Sequence, residues 1–92
     1  MEFLVRIHFS LPPDMDAAAK DELIERETER GRQLRAAGAI VRIWRIPGRT
    51  ENVGIWQAVD GTELHALLSS LPLFPWMDIN VTALAVHRLE RT

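Results

Sequence analysis

The chain has 92 residues, of which 47% are hydrophobic and 26% are charged, and its formal net charge is −2. This composition is typical of a small folded protein, and we expect a single domain that spans residues 1–92. The lack of a basic excess argues against nucleic acid or an anionic membrane as partners, and the absence of cysteine excludes disulfides and thiolate chemistry.

The first third of the chain predicts a strand followed by a long helix. Apolar and polar residues alternate over residues 3–11, which is typical of a half-buried strand, and two prolines then end it. Asp14 or Asp16 can serve as the helix N-cap. The helix should run to about Ala37, with Gly38 as its C-terminal stop.

The middle of the chain predicts a hairpin. Residues 39–46 and 52–59 read as strands, and residues 47–51 form the turn between them. In the first of these strands, strict alternation divides the side chains between two faces. One face carries Val41, Ile43 and Arg45, and the other carries Ile40, Arg42, Trp44 and Ile46.

The last third predicts a helix, an apolar loop and a final strand. The helix covers residues 60–71 and is capped by Asp60 or Thr62, the loop covers 72–78, and the strand covers 79–89. The resulting order, βαββαβ, predicts a ferredoxin-like α+β fold. In that fold a four-stranded antiparallel sheet has both helices on one face.

The face of this sheet that the helices leave open should also be apolar in part. Trp44, Trp56, Ile40 and Ile46 cannot all face the helices, because adjacent strand residues alternate. A large exposed apolar patch needs a cover, and the sheet of a second copy could supply one. We therefore expect at least a dimer that packs sheet to sheet.

Glu27 is the one acidic residue on the apolar side of the first helix. At about 100° per residue, it lies on the same arc as Leu23, Ile24 and Gly31. Desolvation raises the pKa of a carboxyl group, and a carboxylate tuned in this way can serve as a general base. The alternative is a structural Glu at the edge of the core, which extends toward solvent or pairs with Arg30.

Four features of the sequence are distinctive: "LPPDMD" (11–16), Glu27 within its charged helix, "WRIPGR" (44–49) with Asn52, and "LHALLSSLPLFPWMDINVTALAVH" (64–87). Together they resemble the muconolactone isomerase family, and the resemblance covers nearly the whole chain. The resemblance implies a ferredoxin-like dimeric α+β barrel assembled into a homodecamer. It also implies an isomerase of catechol (β-ketoadipate) degradation, which converts muconolactone to 3-oxoadipate enol-lactone without a cofactor. The alternating N-terminus with its early Glu2 and the lack of a long apolar run predict a cytoplasmic protein, and the wide separation of the three histidines predicts no metal site.

The same resemblance implies roles for particular residues. Glu27 matches the acid–base carboxylate of the family. Arg45 is the first candidate to hold the substrate's carboxylate, and Arg42 is the second. Trp44 would wall the pocket, and Asn52 would hydrogen-bond the lactone.

The chain also departs from the family pattern. Trp, His and Tyr are usual at the positions of Ile40, Arg42 and Thr50. A substituted muconolactone is therefore a possible substrate. The alternatives are a related lactone dehalogenase or isomerase, and a non-catalytic barrel that binds a small aromatic-derived acid.

Overall fold

A computed structural model describes residues 1–91 of the chain. The strands are β1 (Glu2–Phe9), β2 (Ile40–Arg45), β3 (Glu51–Gln57) and β4 (Met77–Leu84), and the helices are α1 (Ala17–Ala36) and α2 (Gly61–Ser69). Short 3₁₀ turns cover Phe74–Trp76 and Arg88–Glu90. The strands pair antiparallel in the order β2-β3-β1-β4, which confirms the ferredoxin-like βαββαβ prediction.

Aspartate caps start both helices. The Asp16 carboxylate accepts a hydrogen bond from the backbone N–H of Ala19 at 3.3 Å, so Asp16 rather than Asp14 is the cap of α1. The Asp60 carboxylate does the same for the N–H of Glu63 at 2.9 Å. Each cap satisfies a backbone donor that the first turn of a helix leaves free.

The last strand is shifted relative to the prediction of 79–89. It begins at Met77, which pairs with Phe9, and it ends at Leu84, which pairs with Glu2. Beyond Leu84 the strand β1 has no further residue to pair with. The register of β1 therefore sets both ends of β4, whereas the apolar pattern in the sequence continues past them.

The hydrophobic core lies between the sheet and the two helices. Alternate residues of β1 face it, and Val5 and Ile7 are almost completely buried there. Leu34 of α1 and Leu64 and Leu68 of α2 pack in the same cluster. Both helices therefore cover one face of the sheet, as predicted, and no helix within residues 1–91 is long and apolar enough to cross a membrane.

A β-bulge in β2 changes which side chains share a face. Ile40 pairs with Trp56 and Arg42 pairs with Ile55, so Val41 is an extra residue on β2. Ile40 consequently faces the helices and is buried, although strict alternation predicted that it would share a face with Trp44. That prediction was wrong, because simple alternation does not register an inserted residue.

The opposite face of the sheet remains partly apolar and open. Leu4 and Trp44 lie on it and are 37% and 45% exposed. Val53 and Ile55 of β3 are on the same face and are half-buried. This is the face for which the sequence predicted a cover.

Candidate active site

Glu27 lies in the middle of α1, on the side that packs toward the core. Leu23 and Leu34 on that side are buried, and Glu27 itself is half-buried. Neither Arg nor Lys forms an ion pair with it within residues 1–91. The carboxyl group therefore sits where ionisation is costly.

A backbone donor holds one oxygen of Glu27. The N–H of Leu73, in the segment that follows α2, donates a hydrogen bond to Oε1 at 2.9 Å. Arg30 does not pair with Glu27, because its guanidinium bonds to Ser70 and Gln33 instead. The sequence alternative of a Glu27–Arg30 pair is thus not the arrangement that the structure adopts.

Burial and the Leu73 contact act in opposite directions on the pKa of Glu27. Desolvation is the larger effect and raises the pKa above its ordinary value, whereas the N–H of Leu73 lowers it. A carboxylate with a raised pKa is a stronger base, and its protonated form is more accessible near neutral pH. Glu27 can therefore take up a proton from a carbon acid and return it.

Arg45 and Asn52 form the polar end of the helix-facing side of the sheet. They are paired across β2 and β3, and Asn52 also pairs with the buried Ile7 of β1. Both line a cavity of about 220 Å³, together with Phe9, Ile43, Trp44 and Glu51. Glu27 is not among its lining residues.

One polar atom in this cavity region lacks a partner. The side-chain Oδ1 of Asn52 is buried and accepts no hydrogen bond within residues 1–91. A buried polar atom without a partner costs free energy, so such groups often mark a place for a ligand or water. Arg45 also forms no ion pair within these residues, and its guanidinium is free for an anion.

Arg42 and Trp44 lie on the opposite face of the sheet. Arg42 pairs with Ile55 and Trp44 with Val53, and the Arg42 guanidinium stacks 5.2 Å from the centre of the Trp44 ring. Trp44 still borders the 220 Å³ cavity at its edge. Of the residues that the sequence predicted for substrate binding, Arg45, Asn52 and Trp44 thus line one cavity. Arg42 does not line it and lies on the opposite face of the sheet.

Sequence reasoning missed the N–H of Leu73 and the hydroxyl of Ser70, and it named Arg30 only as an alternative ion-pair partner of Glu27. The N–H of Leu73 is a backbone donor, and because every residue except proline has one, the residue type does not predict this contact. Arg30 and Ser70 form a hydrogen bond of 3.0 Å between α1 and the end of α2. The only available signal was that Arg30 lies three residues after Glu27, on the same side of the helix.

No group of three or more His, Asp or Glu side chains that could hold a metal ion occurs within residues 1–91.

Comparisons of the sequence and of the structure with known proteins point to the same family. The family model for muconolactone delta-isomerase matches residues 1–90. The muconolactone delta-isomerase of Cupriavidus pinatubonensis is 44% identical over 95% of this chain and 95% of its own length, and that of Rhodococcus opacus is 38% identical over 92% and 91%. The crystal structure of a muconolactone isomerase superposes with a TM-score of 0.88 at 38% identity, covering 95% of this chain and 91% of that one.

Proposed function

The chain belongs to the muconolactone delta-isomerase family, and we propose that it shifts the ring double bond of muconolactone, or of a substituted analogue, to give 3-oxoadipate enol-lactone. The observation that carries this proposal is the half-buried Glu27 carboxyl, whose pKa is raised by desolvation and whose Oε1 is held by the N–H of Leu73. The reaction needs one group that accepts and returns a proton, and it needs no cofactor.

The proposed chemistry moves one proton between two ring carbons. The Glu27 carboxylate removes the proton from the ring carbon that bears the acetate arm. The electron pair delocalises through the double bond to the lactone carbonyl, which gives a dienolate. The Glu27 carboxylic acid then protonates the ring carbon next to the carbonyl, and the double bond now lies at the carbon that lost its proton. Glu27 ends as it began.

The substrate's acetate arm is an anion, and a guanidinium is suited to hold it. Arg45 supports this role because it lies on the helix-facing side, lines the cavity and forms no ion pair within residues 1–91. Asn52 lines the same cavity, and its side-chain NH₂ is proposed to donate a hydrogen bond to a lactone oxygen. Trp44 is proposed to wall the pocket at its rim, and Arg42 is the weaker candidate for the anchor since it lies on the other face.

We further propose that the chain works as a homo-oligomer, with a sheet-to-sheet dimer as building block and a decamer as the assembly. The partly exposed Leu4 and Trp44 on the open face support this assembly. A single domain over residues 1–92 and a cytoplasmic location, within catechol degradation, stay predictions.

The test is turnover of muconolactone by the purified protein and by Glu27→Gln. Gln keeps the shape and can still accept the Leu73 N–H, but it cannot act as a base near neutral pH. We expect turnover by the parent and a fall in kcat of at least about 1,000-fold in Glu27→Gln, equivalent to roughly 4 kcal/mol of barrier. Formation of the enol-lactone is followed by its absorbance.

The stability of the same variant is the control. A carboxyl group with a raised folded-state pKa contributes stability that is present at low pH and lost as pH rises through that pKa. Glu27→Gln should therefore unfold at the same or a higher temperature than the parent at pH 8. Turnover by Glu27→Gln within threefold of the parent would mean that another group is the base. A parent that binds muconolactone without converting it would support the non-catalytic alternative.

A further inference from the structure

We propose that Arg30 and Ser70 are positioning residues for Glu27: their hydrogen bond holds the segment after α2 against α1, so that the N–H of Leu73 stays on the Glu27 carboxylate. This inference rests on the proposed role of Glu27 as the base. It assigns a catalytic purpose to two residues that do not themselves touch the substrate.

Two polar contacts join α1 to this segment, and they are in matched register. Glu27 Oε1 accepts from the N–H of Leu73 at 2.9 Å, and Arg30 Nε donates to Ser70 Oγ at 3.0 Å. Glu27 and Arg30 are three residues apart on α1, and Ser70 and Leu73 are three residues apart in the segment after α2. The two segments run in opposite directions. Fixing Arg30 on Ser70 therefore fixes which backbone N–H arrives at Glu27.

Both partners of the second contact are themselves oriented. Gln33, one turn further along α1, accepts from Arg30 Nη1 at 3.0 Å and so fixes the plane of the guanidinium. The Ser70 hydroxyl donates to the backbone carbonyl of Leu67 at 2.6 Å, which leaves its lone pairs to accept from Arg30. The hydrogen bonds to Gln33 and Leu67 thus fix the orientation of both groups in the Arg30–Ser70 contact.

Packing alone does not provide this orientation. The side chains of Leu71 and Leu73 are buried and anchor the segment in the core. Hydrophobic contact is non-directional, however, and sets no angle for the N–H of Leu73. A change of a few tenths of an ångström or a rotation of that peptide would weaken the bond to Glu27.

Loss of the Leu73 contact would have a defined effect on Glu27. That contact lowers the pKa of Glu27, so its removal leaves desolvation unopposed and the pKa rises further. His65 of α2 packs against Phe74. The charged and titratable groups on the elements around Glu27 are Lys20, Asp21, Glu22, Glu25, Arg26, Glu29, Arg30, Arg32 and Arg35 on α1, Glu63 and His65 on α2, and Arg45 on the helix-facing side of β2. None of these is replaced in Ser70→Ala.

The experiment compares Arg30→Met and Ser70→Ala with the parent. A misplacement of about 1 Å can lower a rate by roughly 100-fold, so we expect kcat to fall by about 10- to 100-fold with KM nearly unchanged. The acid limb of the kcat/KM profile should move to higher pH. Ser70→Thr, which keeps a hydroxyl at this position, should restore the parent values.

Arg32→Gln is the matched control. Arg32 is also on α1, but it is exposed, and its one ion pair within residues 1–91 is with the exposed Glu29 at 3.5 Å. Removing it changes the charge of α1 by the same amount as Arg30→Met without touching the Ser70 segment. We expect parent kcat and parent pH dependence.

A second measurement separates this inference from the proposed function. The pKa of Glu27 is followed by the ¹³C shift of its carboxyl carbon in the ligand-free protein, and it should rise in Arg30→Met and Ser70→Ala but not in Arg32→Gln. If the parent does not convert muconolactone, the proposed function is wrong. The titration of Glu27 would still test whether Arg30 and Ser70 position its carboxyl group. If the titration and the pH profile of both variants match the parent, Arg30 and Ser70 do not position Glu27. If Arg30→Met fails to fold, the test rests on Ser70→Ala, because this variant removes only an exposed hydroxyl.

Discussion

Arg45 and Arg42 are on the same strand but face opposite sides of the sheet, so they allow a clean test of the substrate anchor. A hydrogen bond to a charged group contributes roughly 1.5–3 kcal/mol, which corresponds to a 10- to 150-fold loss. We expect Arg45→Met to raise KM for muconolactone by that factor. An anchor used equally in the ground and transition states leaves kcat alone.

Arg42→Met is the internal comparison for that measurement. Its guanidinium stacks on Trp44 on the open face, so its loss should leave KM within about twofold while the protein stays folded. A large rise in KM for Arg42→Met alone would transfer the anchor to Arg42. Unchanged kcat/KM in both variants would mean that neither residue holds the acetate arm.

The position of Glu27 was accessible from the sequence, whereas its partner was not. Helical periodicity places Glu27 on the apolar side of α1, and the structure confirms that it is half-buried there. Its hydrogen bond comes from a backbone N–H that lies 46 residues away along the chain. Side-chain patterns carry no information about such a donor. The roles of Glu27, Arg45 and Asn52 in the reaction stay predictions.

Among the secondary structure elements, the helices were predicted better than the strands. Aspartate caps and a glycine stop mark the ends of α1, and Gly38 indeed adopts a positive φ of 85°. Strand ends depend on the partner strand, which is why β4 stops at Leu84, and faces depend on register, which the bulge at Val41 shifts. The family and the isomerase class were predicted correctly. They rest on motifs in the sequence, and matching a motif does not require the strand register to be known.

Gly54 allows β2 and β3 to approach each other closely. A Cβ at this position would lie 2.7 Å from the backbone oxygen of Arg42 and 3.3 Å from the side chain of Ile43. Backbone cannot yield as a side-chain tip can, so Gly54→Ala should open the hairpin next to the bulge. Overpacking of this kind costs about 1–3 kcal/mol, and we expect a fall in Tm of roughly 4–20 °C by calorimetry.

Gly31→Ala provides the control with the opposite sign. Gly31 is inside α1, and a Cβ there meets no atom within 4 Å. Alanine in a helix interior is favoured over glycine by roughly 1 kcal/mol, so the Tm should rise. If Gly54→Ala is as stable as the parent, the close approach of β2 to β3 does not limit the hairpin.

The open face of the sheet has an apolar part and a charged part. Glu51 accepts hydrogen bonds from both Arg6 and Arg49, and the Arg6 bond is the first cause of a pKa that lies below the ordinary value of Glu. Leu4 and Trp44 occupy the apolar part. An interface with such a division favours one relative orientation of two copies, since apolar areas and ion pairs must each find their counterpart.

Leu4→Glu tests the sheet-to-sheet assembly. Leu4 lies on the second strand from the edge, between Ile55 of β3 and Thr82 of β4, and it is 37% exposed in the single chain. If a second sheet covers it, a carboxylate at this position is buried without a partner, which costs several kcal/mol. We expect the parent to have a mass above that of a dimer by light scattering at micromolar concentration, and Leu4→Glu to have a smaller one. Ala18→Glu adds the same charge to the exposed first turn of α1 and should keep the parent mass. A monomeric parent, or equal masses for Leu4→Glu and the parent, would contradict assembly through this face.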